Sequence, residues 1–123
     1  METAIVLQLL IVLMLGLLEY GLLLWRAQQI SNAARHGARI AVLPDATNTD
    51  VQTAVAALMT SAGFTAGQYT LAISPADVST VDAGQTIQVS ITVAGTDAAY
   101  IQVPLVPVPA NIRGRVTMAK EGP

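Results

Sequence analysis

The sequence predicts an α+β fold: one long N-terminal helix, then a small head with one short helix and a three- to four-stranded antiparallel sheet. Three observations predict it. No proline interrupts the chain before Pro44, and its first 43 residues are rich in helix-forming Ala, Leu, Gln and Arg. A capped, helically spaced stretch follows between Asn48 and Gly63. From Tyr69 onward the apolar period changes from helical to two.

The long helix begins as a membrane segment. Ala4 to Trp25 reads AIVLQLLIVLMLGLLEYGLLLW, with Glu19 as its one charge and Gln8 as its one amide. At ~1.5 Å per residue this stretch is roughly 33 Å long, enough to cross a bilayer core of about 30 Å. A helix buried in a soluble core is not usually this long and apolar on every side. A secretory signal has a shorter apolar region, a basic segment before it and a small-residue cleavage site after it. Neither flank occurs here, so the sequence reads as a retained helix whose own leader is already absent. Residues 1–25 form the transmembrane or polymerisation helix and 26–123 the head, into which the same helix continues to about residue 43.

In that continuation the pattern becomes amphipathic. Gln28, Asn32, Arg35 and Arg39 recur on one wet face, while Ile30, Ala33, Ala34, Gly37, Ala38 and Ala41 make a flat face of mostly small residues. Pro44 stops the helix and pushes Leu43 out of helical conformation. Thr49-Asp50-Val51-Gln52 reads as a capping box, with Thr49 as the cap and Gln52 reaching back. Val51, Val55, Leu58 and Met59 then follow at helical spacing, and Gly63 ends the second helix.

Three strands follow. Tyr69, Leu71 and Ile73 alternate with Thr70, Ala72 and Ser74. Ile87, Val89, Ile91 and Val93 alternate with Thr86, Gln88, Ser90 and Thr92, and Ile112, Val116 and Met118 alternate with Arg113, Arg115 and Thr117. One apolar face and one wet face suit a small antiparallel sheet covered by the long helix. Between the last two strands, Pro104, Pro107 and Pro109 forbid a central strand. The same stretch carries Tyr100, Ile101, Val103, Leu105, Val106 and Val108, too apolar for an ordinary exposed loop. It either covers the sheet edge or is buried by another chain, with Tyr100 and Leu105 as anchors.

Composition narrows the function classes. Of 123 residues 53% are hydrophobic and 11% charged, with a net charge of −2, so there is no electrostatic case for nucleic acid. There is no cysteine and one histidine, which leaves no thiolate site and no multi-histidine metal site within one chain. His36 reads as a surface histidine. The serines lack a G-x-S-x-G setting, and Gly63 to Gly67 (GFTAG) lacks the Lys-Ser/Thr ending of a phosphate loop. No nucleophile, base and orienter assemble, so no enzyme, no catalytic residue and no cofactor is expected.

The residues that stand out belong to the helix. Glu19 lies deep in an apolar segment, where a carboxylate costs ~2.5–3.5 kcal/mol on insertion scales. It either reaches headgroup water or meets a partner inside a helix bundle. Glu2 stands beside the α-amino group if Met1 is the mature first residue, and could pair with its own chain's amine or a neighbour's. Gly16 and Gly21 allow close helix approach at a level where lipid or another helix is the neighbour. Tyr20 and Trp25 suit membrane-interface anchors. Arg26, Arg35 and Arg39 follow the apolar run and nothing basic precedes it, so the charge rule places the head outside only if a basic leader has been removed.

These features together resemble the TadE-like pseudopilins of tight-adherence (Flp/Tad) systems, relatives of type IV pilins. The matching pieces are Glu2 with the apolar run after it, Glu19-Tyr20-Gly21, Gln28 to Arg39 (QQISNAARHGAR) and Val116 to Glu121 (VTMAKE). The resemblance implies a pilin-like fold and a structural subunit that assembles through its N-terminal helix into an extracellular pilus filament for surface adhesion. It implies a membrane-inserted prepilin, a prepilin peptidase and an inner-membrane assembly machine as partners, and other copies or related pilins in the filament. It also maps the assembly carboxylate of pilins onto Glu2. Two other roles stay open: a minor pseudopilin that primes or caps another pilin's filament, and a single-span accessory whose head binds a partner protein.

Overall fold

The computed structural model describes residues 1–99 and 107–122. Helix α1 (Glu2–Ala41) runs unbroken for 40 residues. Its C-cap is Val42, two residues before Pro44, as a proline stop requires. Helix α2 (Asn48–Ser61) follows, then strand β1 (Tyr69–Ser74), strand β2 (Thr86–Ala94), a single helical turn α3 (Gly95–Ala98) and strand β3 (Asn111–Ala119). The sheet is antiparallel in the order β1-β2-β3.

The register keeps apolar partners on one face. Ile87 pairs with Met118, Val89 with Ile73 and Val116, and Val93 with Tyr69 and Ile112. β2 is central, so all four of its inward side chains are fully buried, while those of β1 and β3 are half-buried. The opposite face carries Thr70, Gln88, Thr92, Arg113 and Arg115, and Arg113 Nε donates to the Thr92 hydroxyl across the strands at 3.2 Å.

The C-terminal half of α1 lies on the apolar face. Ile30, Ala33, Ala34, Gly37, Ala38 and Ala41 are its buried residues there. Their small size sets the approach distance. A Cβ at Gly37 would stand 2.6 Å from Val55 Cγ2 of α2 and 3.4 Å from Val89 Cγ1 of β2, so three elements meet at this glycine. Gly114 does the same for β3: a Cβ there would stand 3.0 Å from the Ile30 carbonyl oxygen. Gly114 therefore occupies the inward position at which the Ile112–Val116–Met118 alternation lacks a side chain.

Helix α2 starts two residues earlier than its sequence suggests. Thr47 is the cap: its hydroxyl accepts from the Asp50 amide at 3.3 Å, and the Asp50 carboxylate accepts from the Thr47 amide at 2.9 Å. The competing Thr49/Gln52 box does not form, because a carboxylate at the third position of a helix also meets the positive end of the helix dipole and an amide does not. Val51, Val55 and Met59 face the core, and Leu58 is exposed.

The chain ends back at the top of α1. Lys120 is buried, and its ammonium donates to the carbonyls of Ala41 at 3.3 Å and Val78 at 3.2 Å. The Glu121 amide donates to the Val42 carbonyl at 2.9 Å. Free carbonyls at a helix C-terminus favour a cation, so the last strand closes the end of the first helix.

Candidate assembly surface

The first third of α1 is bare of its own head. Every residue from Met1 to Met14 is exposed, including Ile5, Leu7, Leu9, Leu10, Ile11 and Leu13. Its length and hydropathy are those of a membrane-crossing helix. Glu2 lies exposed in the first turn, where a negative charge favours the helix N-terminus.

Cover begins at Leu15 and Gly16, which are half-buried, and continues along one stripe through Glu19, Leu22, Leu23, Arg26, Ala27 and Ile30. These positions recur every three or four residues and form a single helix face. Glu19 is fully buried within its own chain. Gly21 lies on the opposite face, exposed, with nothing within 4 Å of where a Cβ would be.

Two side chains on α1 grip the head from below. The Tyr20 hydroxyl donates to the Pro107 carbonyl at 2.7 Å. Arg26 Nη1 donates to the carbonyls of Asp97 at 2.9 Å and Ala98 at 3.2 Å, at the end of α3, and its guanidinium lies over the Phe64 ring at 4.7 Å. A cation over an aromatic face adds to such hydrogen bonds. The segment after β2 is tied back at its own base, where the Gly95 amide donates to the Ala110 carbonyl at 2.9 Å. Tyr20, read from sequence as a membrane-interface anchor, is thus also a contact to the head. Arg26 lies seven residues after Glu19 and four before Ile30, on the covered face; that spacing was the available signal for its role.

The other sequence-singled residues do not converge on a chemical centre. His36 is exposed on α1. Among the described residues, no three of His, Cys, Asp and Glu gather as a metal group. An open groove lined by Ile40, Leu43, Pro44, Asp45, Asp50 and Thr53 lies beside the α1–α2 turn and contains no nucleophile–base pair. Tyr100 and Leu105 lie outside the described residues.

A family model described as TadE-like protein matches residues 1–39. The N-terminal segment is TadE-like. The match takes in Glu2, Gly16, Glu19-Tyr20-Gly21 and the whole of Gln28 to Arg39, and so both the bare and the covered stretches of α1. The TadE-like family is a structural, pilus-associated family not known as enzymatic; the match suggests a Tad pilus-associated protein, and with the apolar helix it suggests membrane association. No curated protein and no solved structure gave a significant match to the chain. The TadE-like segment stops two residues short of the end of α1, so the head's second helix and sheet lie outside the match.

Proposed function

We propose that the protein is a structural subunit of a pilus filament. Its N-terminal helix anchors it in the membrane before assembly and packs among the helices of other copies or related pilins afterwards, with the head outside. The observation that carries this reading is the division of α1: an unbroken helix that is exposed on every side up to Met14, apolar from Ala4 to Met14 except for Gln8, and TadE-like, whose C-terminal half packs into the head. Large apolar side chains left bare on that scale need a hydrophobic partner. The same reading divides the chain into an assembly helix, residues 1–25, and a head, 26–123.

The assembly residues follow from it. Glu2 pairs with an α-amino group at the base of the helix bundle. Gly21, open on the free face, and Gly16, half-buried where cover begins, admit a neighbouring helix. Glu19, buried within its own chain, acts on assembly through the packing of that chain and not by touching a neighbour, and Tyr100 and Leu105 reach a neighbouring head or helix. The membrane machinery and prepilin peptidase of a Tad system are the partners before assembly.

Electron microscopy of sheared cell-surface material, with mass spectrometry of its main band, tests the role. A majority band of this chain in the filaments supports the subunit. A trace in filaments of another protein makes it a minor pseudopilin, and absence from them makes it a membrane accessory. Gly21→Leu sharpens the test: Gly21 is open, so the head should stay folded while filaments are lost. Normal filaments from Gly21→Leu would remove this glycine from the packing surface.

A further inference from the structure

Two boundaries on α1 do not coincide. On the face that carries the head, cover descends to Leu15. On the opposite face the exposed residues are Leu17, Leu18, Gly21, Leu24 and Trp25, and only from Gln28 does that face turn polar, through Asn32, Arg35 and Arg39. Leu17 and Leu24 are 67% and 69% exposed, and Trp25 50%. For about ten residues, or ~15 Å of helix, α1 has a head on one side and a bare apolar strip on the other. The strip continues directly from the apolar surface of residues 4–14, so the partner that covers the one extends to the other.

From this overlap we infer that the membrane-inserted protein is seated on the bilayer, with the Leu17–Leu18–Leu24–Trp25 strip in the outer interfacial layer and the lower edge of the head against the lipid headgroups. The inference rests on the membrane insertion read above. An upright helix with Trp25 at the hydrocarbon boundary would push the Tyr20–Pro107 contact several ångströms into hydrocarbon, together with the exposed main chain around it. An upright helix with the head wholly in water would leave four large apolar side chains wet. A tilt toward the bare face satisfies both sides. The interfacial layer absorbs about half of the ~15 Å offset, and the remainder across the width of helix and head needs a tilt of the order of 30°, within the about 0–40° range of membrane helices. A tryptophan at headgroup level is favourable in its own right. The grips of Tyr20 and Arg26 make the tilt a property of the whole chain, because the head cannot rotate away from α1 without breaking them.

The sequence supplies its own probes, one tryptophan and no cysteine. The full chain is placed in phosphatidylcholine–phosphatidylglycerol vesicles at low protein-to-lipid ratio, and flotation first establishes insertion. Trp25 emission is then read against acrylamide and against lipids brominated at shallow or deep acyl positions. A polarity-sensitive dye on Asp97→Cys, an exposed site at the end of α3, reports the head against spin-labelled headgroups. The seated geometry gives blue-shifted Trp25 emission, several-fold protection from acrylamide, stronger quenching by shallow than by deep bromines, and quenching of the head dye by headgroup labels. Failure of the chain to float overturns membrane insertion itself. Insertion with water-exposed Trp25 emission, or with the head dye out of reach of headgroup labels, overturns the seating alone. Trp25 shielded from acrylamide and from every lipid-borne quencher would mean that a second copy occupies the strip, and also overturns it.

Discussion

The two ends of α1 are the same helix with opposite surroundings, and the property that separates them is side-chain size more than polarity. From Ala4 to Met14 the helix is dominated by Leu, Ile, Val and Met, all exposed. From Ile30 to Ala41 the buried residues are one Ile, four Ala and a Gly. A fixed sheet and a second helix demand close, flat contact, which small residues permit. Lipid or a mobile neighbouring helix accepts large ones. A long apolar helix therefore announces a hydrophobic partner, and the size of its side chains tells whether that partner is the chain's own core.

One substitution, made at both ends, would break this comparison most sharply. At Gly37 an added methyl meets Val55 at 2.6 Å inside a packed three-way junction. Gly37→Ala should destabilise the head toward the upper end of the ~1–3 kcal/mol typical of overpacking, and adding Val55→Ala should recover part of it. At Gly21 nothing lies within 4 Å, so Gly21→Ala should stabilise the helix by up to ~1 kcal/mol, the glycine-to-alanine difference in helix propensity. Thermal melts of the two full-length variants in the same detergent should shift in opposite directions. A shift of the same sign in both would mean that the bare and covered stretches are not the distinct environments described above.

Much of this division was legible in the sequence, because each part has its own period. The Pro-free run, the change to small residues after Arg26 and the period-two alternation of β2 each depend on neighbours close in the chain. What stayed hidden depends on distance or on competition. Tyr20 meets Pro107 across 87 residues and Arg26 meets Asp97 across 71, and no local pattern encodes either. Two threonines each stood three residues before a possible box partner, and the carboxylate of Asp50 decided in favour of Thr47. Nothing next to Lys120 in the chain signals its role, which appears only once β3 delivers it to the top of α1.

Lys120 offers the next test, of what holds the covered end closed. Lys120→Met keeps an unbranched apolar side chain and removes the ammonium from the Ala41 and Val78 carbonyls. Both contacts are long, at 3.3 and 3.2 Å, so the loss should fall at the low end of the ~1.5–3 kcal/mol that charged hydrogen bonds contribute. Hydrogen exchange should speed up at the last turn of α1 and in the Val78–Thr80 turn, and stay unchanged at Leu7 to Leu13. Unaltered exchange at Ala41 and Val42 would show that Lys120 does not close the helix end.

The smallest expected effect lies at the start of α2, far from the bare end of α1, and depends on pH. The Thr47 hydroxyl and amide hydrogen-bond the Asp50 carboxylate and hold its pKa below the ordinary aspartate value, and Ser79 acts on Asp77 in the same direction. A carboxyl with a lowered folded-state pKa contributes stability that is complete above its unfolded value, about 3.9. That contribution disappears as pH falls through the lower folded value. Both groups are fully exposed, so the effect on the melting temperature is slight. Asp50→Asn keeps a side chain that can accept from Thr47 but cannot charge. Wild type should therefore melt above Asp50→Asn at neutral pH, and the gap should close as the solution is acidified below the ordinary aspartate range; Asp77 is common to both proteins and cancels from the gap. A gap that stays constant down to acid pH would show that the capping box works through its shape alone and that the charge on Asp50 adds nothing to it.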